Sequence, residues 1–246
     1  QYDDYELIVD IDAHLQEGRF WDELIDCMDS DVLKYTAKTM LAGGVRTPLI
    51  NMQPGMSFQS LSGRVPHQSG PGEKVDDPAT HGHPFAQIML RSMDAMGVDY
   101  SCLFPTPMLF LGTHPQVEVE VQLVQAYNRW LVERILAHEP RIISRLYLPF
   151  NDPEAAYKTV KEFAGKKGVV GFMITSPRYK PVHDNAYMKT YRLIEEAGMP
   201  LSFHAAYSWG DQALSLQNRF IGVHALGFMW FNMVHMTNWV VNGLPE

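Results

Sequence analysis

The stretch Asp10-Ile11-Asp12-Ala13-His14-Leu15-Gln16-Glu17 groups acidic and imidazole side chains at a spacing that suits metal chemistry. On an extended strand, residues two apart point to the same side, so Asp12 and His14 face one site, with Asp10 in phase but deeper. A carboxylate oxygen beside an imidazole nitrogen suits zinc, iron or manganese. Glu17, three residues beyond His14, is placed to bridge or bind a second ion. An Asp-x-His pair alone is weak evidence, because an aspartate at a strand end often caps the next helix. His204 changes that balance. It closes the apolar run Met199-Pro200-Leu201-Ser202-Phe203-His204, and a barrel strand delivers its last side chains to the face where sites are built. One metal centre made by Asp12, His14 and His204 accounts for the three positions better than a satisfied core histidine does.

Such a centre needs strands that end side by side, and five apolar runs of strand length meet that need. They are Tyr5 to Asp12, Asp99 to Pro105, Ile142 to Pro149, Gly168 to Thr175 and Pro200 to His204, each bounded by Gly or Pro. Helical patterns lie between them. Pro84 to Gly97 carries Ile88, Leu90, Met93 and Met96, and Pro115 to His138 carries Val121, Val124, Tyr127, Leu131 and Ile135. Asp152-Pro153-Glu154 reads as a helix start, with Gly165 placed as its left-handed stop, and Asp184 to Gly198 repeats that grammar. Strand and helix in alternation predict an α/β fold with parallel strands and right-handed crossovers, best matched by a (β/α)8 TIM-like barrel. An open doubly wound sheet is the rival, weakened because no Gly-x-Gly-x-x-Gly follows the first strand. Residues 42–83, rich in Gly, Pro and Ser, break the rhythm as an irregular insertion. They read either as a surface loop or as a lid over the strand ends.

The chain has 246 residues, of which 46% are hydrophobic, 20% charged and 11% aromatic, which excludes a disordered or low-complexity protein. Its 28 acidic against 20 basic residues argue against nucleic acid or an anionic membrane as partner. Cys27 and Cys102 stand in no metal or redox spacing, which excludes a disulfide scaffold and fits a reducing, cytoplasmic setting. Phe220 to Val241 has no Lys, Arg, Asp or Glu, but His224, Asn232, His235, Thr237 and Asn238 are costly in lipid. A helix buried in the fold or in a homo- or hetero-oligomer interface is expected there. Among softer candidates, His114 follows the second strand and is placed to touch substrate. Trp209 and Asp211 follow His204 and can line a pocket. His81 and His83 can reach a metal from the insertion, and Arg46 and Arg64 can bind a carboxylate, although solvated loop residues of these types are common.

Three stretches carry a resemblance: the strand-one motif, the GVDYSCLFPT run, and GVVGFMITSPRYKPVHDNAYMKTYRLIEEAGMPLSFH. Together they look like the amidohydrolase-related family, the branch of the amidohydrolase superfamily that includes aminocarboxymuconate semialdehyde decarboxylase and the resorcylate-type decarboxylases. The resemblance runs from about Leu7 onward and implies a single barrel domain of which about the first five strands fall in this chain. It matches Asp12 and His14 to the family's strand-one metal pair and His204 to its strand-five histidine. The family's strand-six His or Glu and strand-eight Asp have no counterpart, so no catalytic residue is assigned, and a natural chain longer by roughly 80 to 120 residues is expected from typical barrel size. The implied activity is metal-dependent decarboxylation or hydrolysis of a small, carboxylated and sometimes aromatic substrate, with one or two divalent ions. The variant with Asp12, His14 and Glu17 also resembles dinuclear iron or manganese oxygenases that act on small amines. A non-catalytic scaffold subunit is the third expectation.

Overall fold

Short apolar runs, in β2 and β4 buried almost throughout, build the sheet. The structure, a computed structural model, describes residues 7–50, 75–175, 180–206 and 210–244. Five strands form: β1 (Val9–Leu15), β2 (Tyr100–Pro105), β3 (Ile142–Tyr147), β4 (Val169–Thr175) and β5 (Leu201–His204). They pair in chain order, β1-β2-β3-β4-β5, and every pairing is parallel. The sheet curls into a half-barrel, far enough that side chains from its two outer strands meet. Among the described residues, no strand pairs with the outer edge of β1 or of β5.

Among the described residues, eight α-helices accompany the strands: α1 (Trp21–Asp26), α2 (Asp31–Ala42), α3 (Pro78–His81), α4 (Pro84–Met96), α5 (Val117–Leu131), α6 (Pro153–Phe163), α7 (Met188–Glu196) and α8 (Phe220–Val241). The start signal at Asp152 works as expected: its carboxylate accepts from the N–H groups of Glu154 and Ala155, and Pro153 opens α6. Gly97 ends α4 in the left-handed conformation, with φ 71°, which a glycine adopts without the clash of a Cβ. The helix expected over Pro115 to His138 is α5 continued by one π-helical turn, Val132–Leu136.

The core lies between the sheet's convex side and the helices. Leu15, Leu24, Ile25, Leu103, Tyr127, Trp130, Leu146, Phe172 and Ile174 are fully buried there. Helices α1 and α2 were not among the expected elements. Trp21, Leu24, Ile25 and Met28, at helical spacing and buried, carry the pattern that marks α1. Strand β1 runs to Leu15 rather than ending at Asp12, because Ala13 and Leu15 are buried on the helix side and hold it against β2.

Helix α8 occupies the residues expected of it but is buried on one side only. Phe220, Val223, Gly227 and His235 are buried, while Met229, Met233, Met236 and Val241 are exposed. Its neighbours are β5 and α7, through Phe203 and Tyr191 against Trp239 with ring centroids 5.8 and 4.8 Å apart. Among the described residues, no helix is long and apolar enough to cross a membrane.

Candidate metal centre

Strand β1 presents Asp12 and His14 on the concave side of the sheet. Asp12 lies in a bulge: Asp10 pairs with Ser101 and Ala13 with Leu103, so Ile11 and Asp12 together stand opposite Cys102. The extra residue breaks the simple alternation that would put Asp10 in phase with Asp12. The Asp10 carboxylate instead accepts from the backbone N–H of Asp12 at 3.0 Å, bracing the bulge. At the other edge of the sheet, His204 ends β5 beside Thr175 of β4.

Three donor atoms converge. His204 Nε2 lies 3.1 Å from Asp12 Oδ1 and 3.2 Å from His14 Nε2, and the His14 Nε2 to Asp12 Oδ1 separation is 3.7 Å. The protonation of each ring follows from its other nitrogen. His14 Nδ1 is 3.1 Å from the carbonyl oxygen of Pro105, and His204 Nδ1 is 2.8 Å from that of Ala205. A carbonyl only accepts, so both Nδ1 atoms carry the hydrogen in the neutral rings, and both Nε2 atoms offer lone pairs. Two lone pairs and a carboxylate oxygen therefore face one another with no hydrogen between them, an arrangement that a cation relieves. A first-row metal about 2.1 Å from each donor holds them about 3.0 to 3.4 Å apart at octahedral to tetrahedral angles, which the observed separations approach. The residues present fit a divalent ion. Among the described residues, this is the one group of three or more His, Cys, Asp or Glu side chains with such convergence.

The surroundings of His14 favour its neutral form. Burial holds the pKa of His14 below its ordinary value, and repulsion from His204 adds to that, against the opposing pull of Asp12. Protons then compete less with a metal for Nε2. Phe104 of β2 packs against both rings, with centroids 6.4 Å from His14 and 4.9 Å from His204. Asp12 is the exposed member and His204 the buried one.

Glu17 lies outside this group. It is fully buried, its Oε2 accepting from the N–H of Thr106 at 2.9 Å and its Oε1 from that of Met108 at 2.7 Å. Burial raises its pKa to about 7, against the lowering effect of those N–H groups. His114 is also buried, its Nε2 donating to Leu49 O at 3.0 Å while its Nδ1 accepts from the Gln116 N–H at 3.1 Å. That clasp ties the start of the insertion to the segment after β2. His83 donates from Nε2 to Glu23 at 3.2 Å, while its Nδ1 accepts from the Phe85 N–H, which anchors the end of the insertion. His81 is exposed and bonded to Thr80. Asp211 caps the turn at Ala213 and Leu214. His224 packs against Phe220 and Phe228, and His235 is buried against Phe203. Arg46 lines a shallow cavity with Arg19 and Trp21. Trp209 and Arg64 lie outside the described residues.

Sequence reasoning missed Phe104, the Pro105 carbonyl and Thr106, whose hydroxyl lies 3.2 Å from His14 Nδ1. Their position at the end of the second apolar run was the available signal, since side chains and carbonyls at barrel strand ends build the site.

A parallel half-barrel with such a group at the carboxyl ends of its outer strands is the arrangement of a TIM-barrel fold, whose sites are built at that face. The amidohydrolase family model matches residues 78–242, more than half of the chain, and the chain belongs to that family. No curated protein gives a significant sequence match. Among solved structures, an amidohydrolase from Mycobacterium avium subsp. paratuberculosis superposes with a TM-score of 0.65 at 20% identity, over 98% of this chain and 70% of that one. A 5-carboxyvanillate decarboxylase from Sphingomonas paucimobilis gives 0.60 at 16% identity, over 98% of this chain and 64% of its own. The 5-carboxyvanillate decarboxylase of Novosphingobium aromaticivorans, with bound manganese and 3-methoxy-4-hydroxy-5-nitrobenzoic acid, gives 0.60 at 17% identity, over 98% and 62%. The chain thus spans less than two thirds of both decarboxylases, and at these identities the likeness establishes the fold.

Proposed function

We propose that this chain carries the metal-binding half of a metal-dependent decarboxylase acting on a small aromatic carboxylate, with Asp12, His14 and His204 as ligands. The observation that carries the reading is the meeting of two imidazole Nε2 atoms and a carboxylate oxygen within 3.7 Å. The fold shared with manganese-containing 5-carboxyvanillate decarboxylase supports the choice of reaction. An ion held there supplies Lewis-acid charge for the oxygens of a carboxylated substrate. The chain's own residues do the rest. Pro105 O and Ala205 O hold the ring protons at Nδ1, which orients both imidazoles. Phe104, packed against both rings, shields one side of the pair from water. Hydrolysis of a carboxylated substrate uses the same ligands and is the competing reaction. The dinuclear oxygenase reading needs Glu17 as a ligand, and both of its oxygens already accept backbone hydrogen bonds.

Elemental analysis after loading with manganese, zinc or iron(II) tests the ligand set. Wild type is expected to hold one ion per chain, and Asp12→Ala, His14→Ala and His204→Ala to lose at least tenfold in affinity. Undiminished metal content in all three variants would sink the assignment. The reaction is tested separately, in the natural protein, by carbon dioxide release from 5-carboxyvanillate and related hydroxylated benzoates. Hydrolysis without carbon dioxide would move the reading to a hydrolase. A bound metal with neither activity would leave a scaffold.

A further inference from the structure

Glu17 is a fully buried carboxylate that the metal centre does not use directly, yet a single peptide group connects the two. The N–H of Thr106 donates to Glu17 Oε2 at 2.9 Å. The carbonyl of that same peptide, Pro105 O, accepts from His14 Nδ1 at 3.1 Å. His14 Nε2 then faces His204 and Asp12. We propose that Glu17 is a positioning residue for His14, acting through the Pro105–Thr106 peptide as a carboxylate–peptide–histidine relay. The inference rests on the reading of His14 as a metal ligand.

The physical argument has two parts. The first is geometric. Glu17 accepts from both Thr106 and Met108, the second at 2.7 Å, so it pins the turn that follows β2 and fixes the direction of the Pro105 carbonyl. That carbonyl selects the ring orientation and tautomer of His14, as an outer carboxylate or carbonyl does for most metal-bound histidines. The second part is electronic. Hydrogen bonds in a chain polarise one another, and a carboxylate pulling on the N–H end of a peptide makes its carbonyl a stronger acceptor. A stronger acceptor at Nδ1–H raises the electron density at Nε2 and hence its strength as a ligand. Thr106 Oγ1, at 3.2 Å, is a second and weaker acceptor for the same proton.

Two readouts decide the proposal: the tautomer of His14 in the metal-free protein, by long-range proton–nitrogen NMR with the signal assigned through His14→Ala, and manganese affinity by chelator competition. In wild type His14 is expected as the Nδ1–H form. Glu17→Gln keeps size but turns an N–H donor toward one of the two backbone donors. It is expected to give a mixture of tautomers and about a 10- to 100-fold weaker affinity at an unchanged ion count, the range of outer ligand partners. Thr106→Val, which spares the peptide, is expected to stay within about twofold of wild type. If Glu17→Gln does not fold, Glu17→Asp carries the test, with a smaller loss expected from one surviving bond. An unchanged tautomer together with unchanged affinity overturns the proposal and leaves Glu17 a local cap. A lower ion count with an unchanged tautomer also overturns it, because Glu17 is then a ligand. If wild type binds no metal, the proposed function fails, and the tautomer measurement still decides the relay.

Discussion

A carboxylate sealed from water is the residue whose behaviour depends most on its surroundings, and Glu17 is that residue here. Burial lifts its pKa from 4.5 to about 7 although two backbone N–H groups oppose the lift. Between those values the folded chain binds more protons than the unfolded chain. Stability therefore falls as pH rises from about 4.5 through about 7 and stays lower above that, by on the order of 3 kcal/mol. Glu17→Gln cannot titrate, so urea unfolding at pH 5 and pH 8 is expected to show a difference smaller than wild type's by about that amount. The same pH slope in both proteins would show that another group sets it. At this scale the sequence was partly legible. Asp12, His14 and His204 could be chosen as candidate ligands from residue type and strand ends, whereas the hydrogen-bond partners of Glu17 and His114 could not. Which partner an oxygen or ring nitrogen meets depends on chain segments far away, with 91 positions between Glu17 and Met108.

Local periodicity exposed the strands and most helices, because apolar alternation and caps act within a few residues. The bulge in β1 escaped that reading, since a bulge is a relation between two strands and is set by their pairing. The same holds for the approach of β4 to β5. A Cβ added at Gly171 would lie 2.6 Å from the backbone oxygen of Pro200 and 3.0 Å from its Cγ, so only glycine lets β5 start where it does. Gly171→Ala is expected to destabilise the fold by about 1 to 3 kcal/mol, the usual cost of overpacking. It should also weaken metal binding, because β5 carries His204. Denaturant unfolding beside chelator competition checks both effects, and a stable variant with full metal affinity would contradict the account.

At the scale of the molecule, the candidate ligands sit on the two outer strands of the sheet. Metal at this site would tie those edges together across 190 positions, from His14 to His204. Binding to the folded state alone stabilises it by about 2.7 kcal/mol at a free concentration one hundred times Kd. For a chain of this size, that corresponds to a rise of about 5 to 10 °C in Tm. Thermal unfolding with manganese, and again with a chelator, is expected to show this difference in wild type and to lose it in Asp12→Asn and His204→Gln. Equal rises in all three proteins would place the ion elsewhere.

Taken alone, the sequence determined the fold class, the five strands and the three candidate ligand positions, because each is written in short-range pattern: apolar runs, Gly and Pro boundaries, residue types at strand ends. Tertiary structure decided what pattern cannot carry. The curl of the sheet brings β1 to β5, and the Pro105 and Ala205 carbonyls choose which nitrogen of each imidazole stays bare. Glu17 is a buried hydrogen-bond acceptor because the turn after β2 wraps over it. Those outcomes depend on directions and distances between segments remote along the chain, and they exist only once the chain has folded.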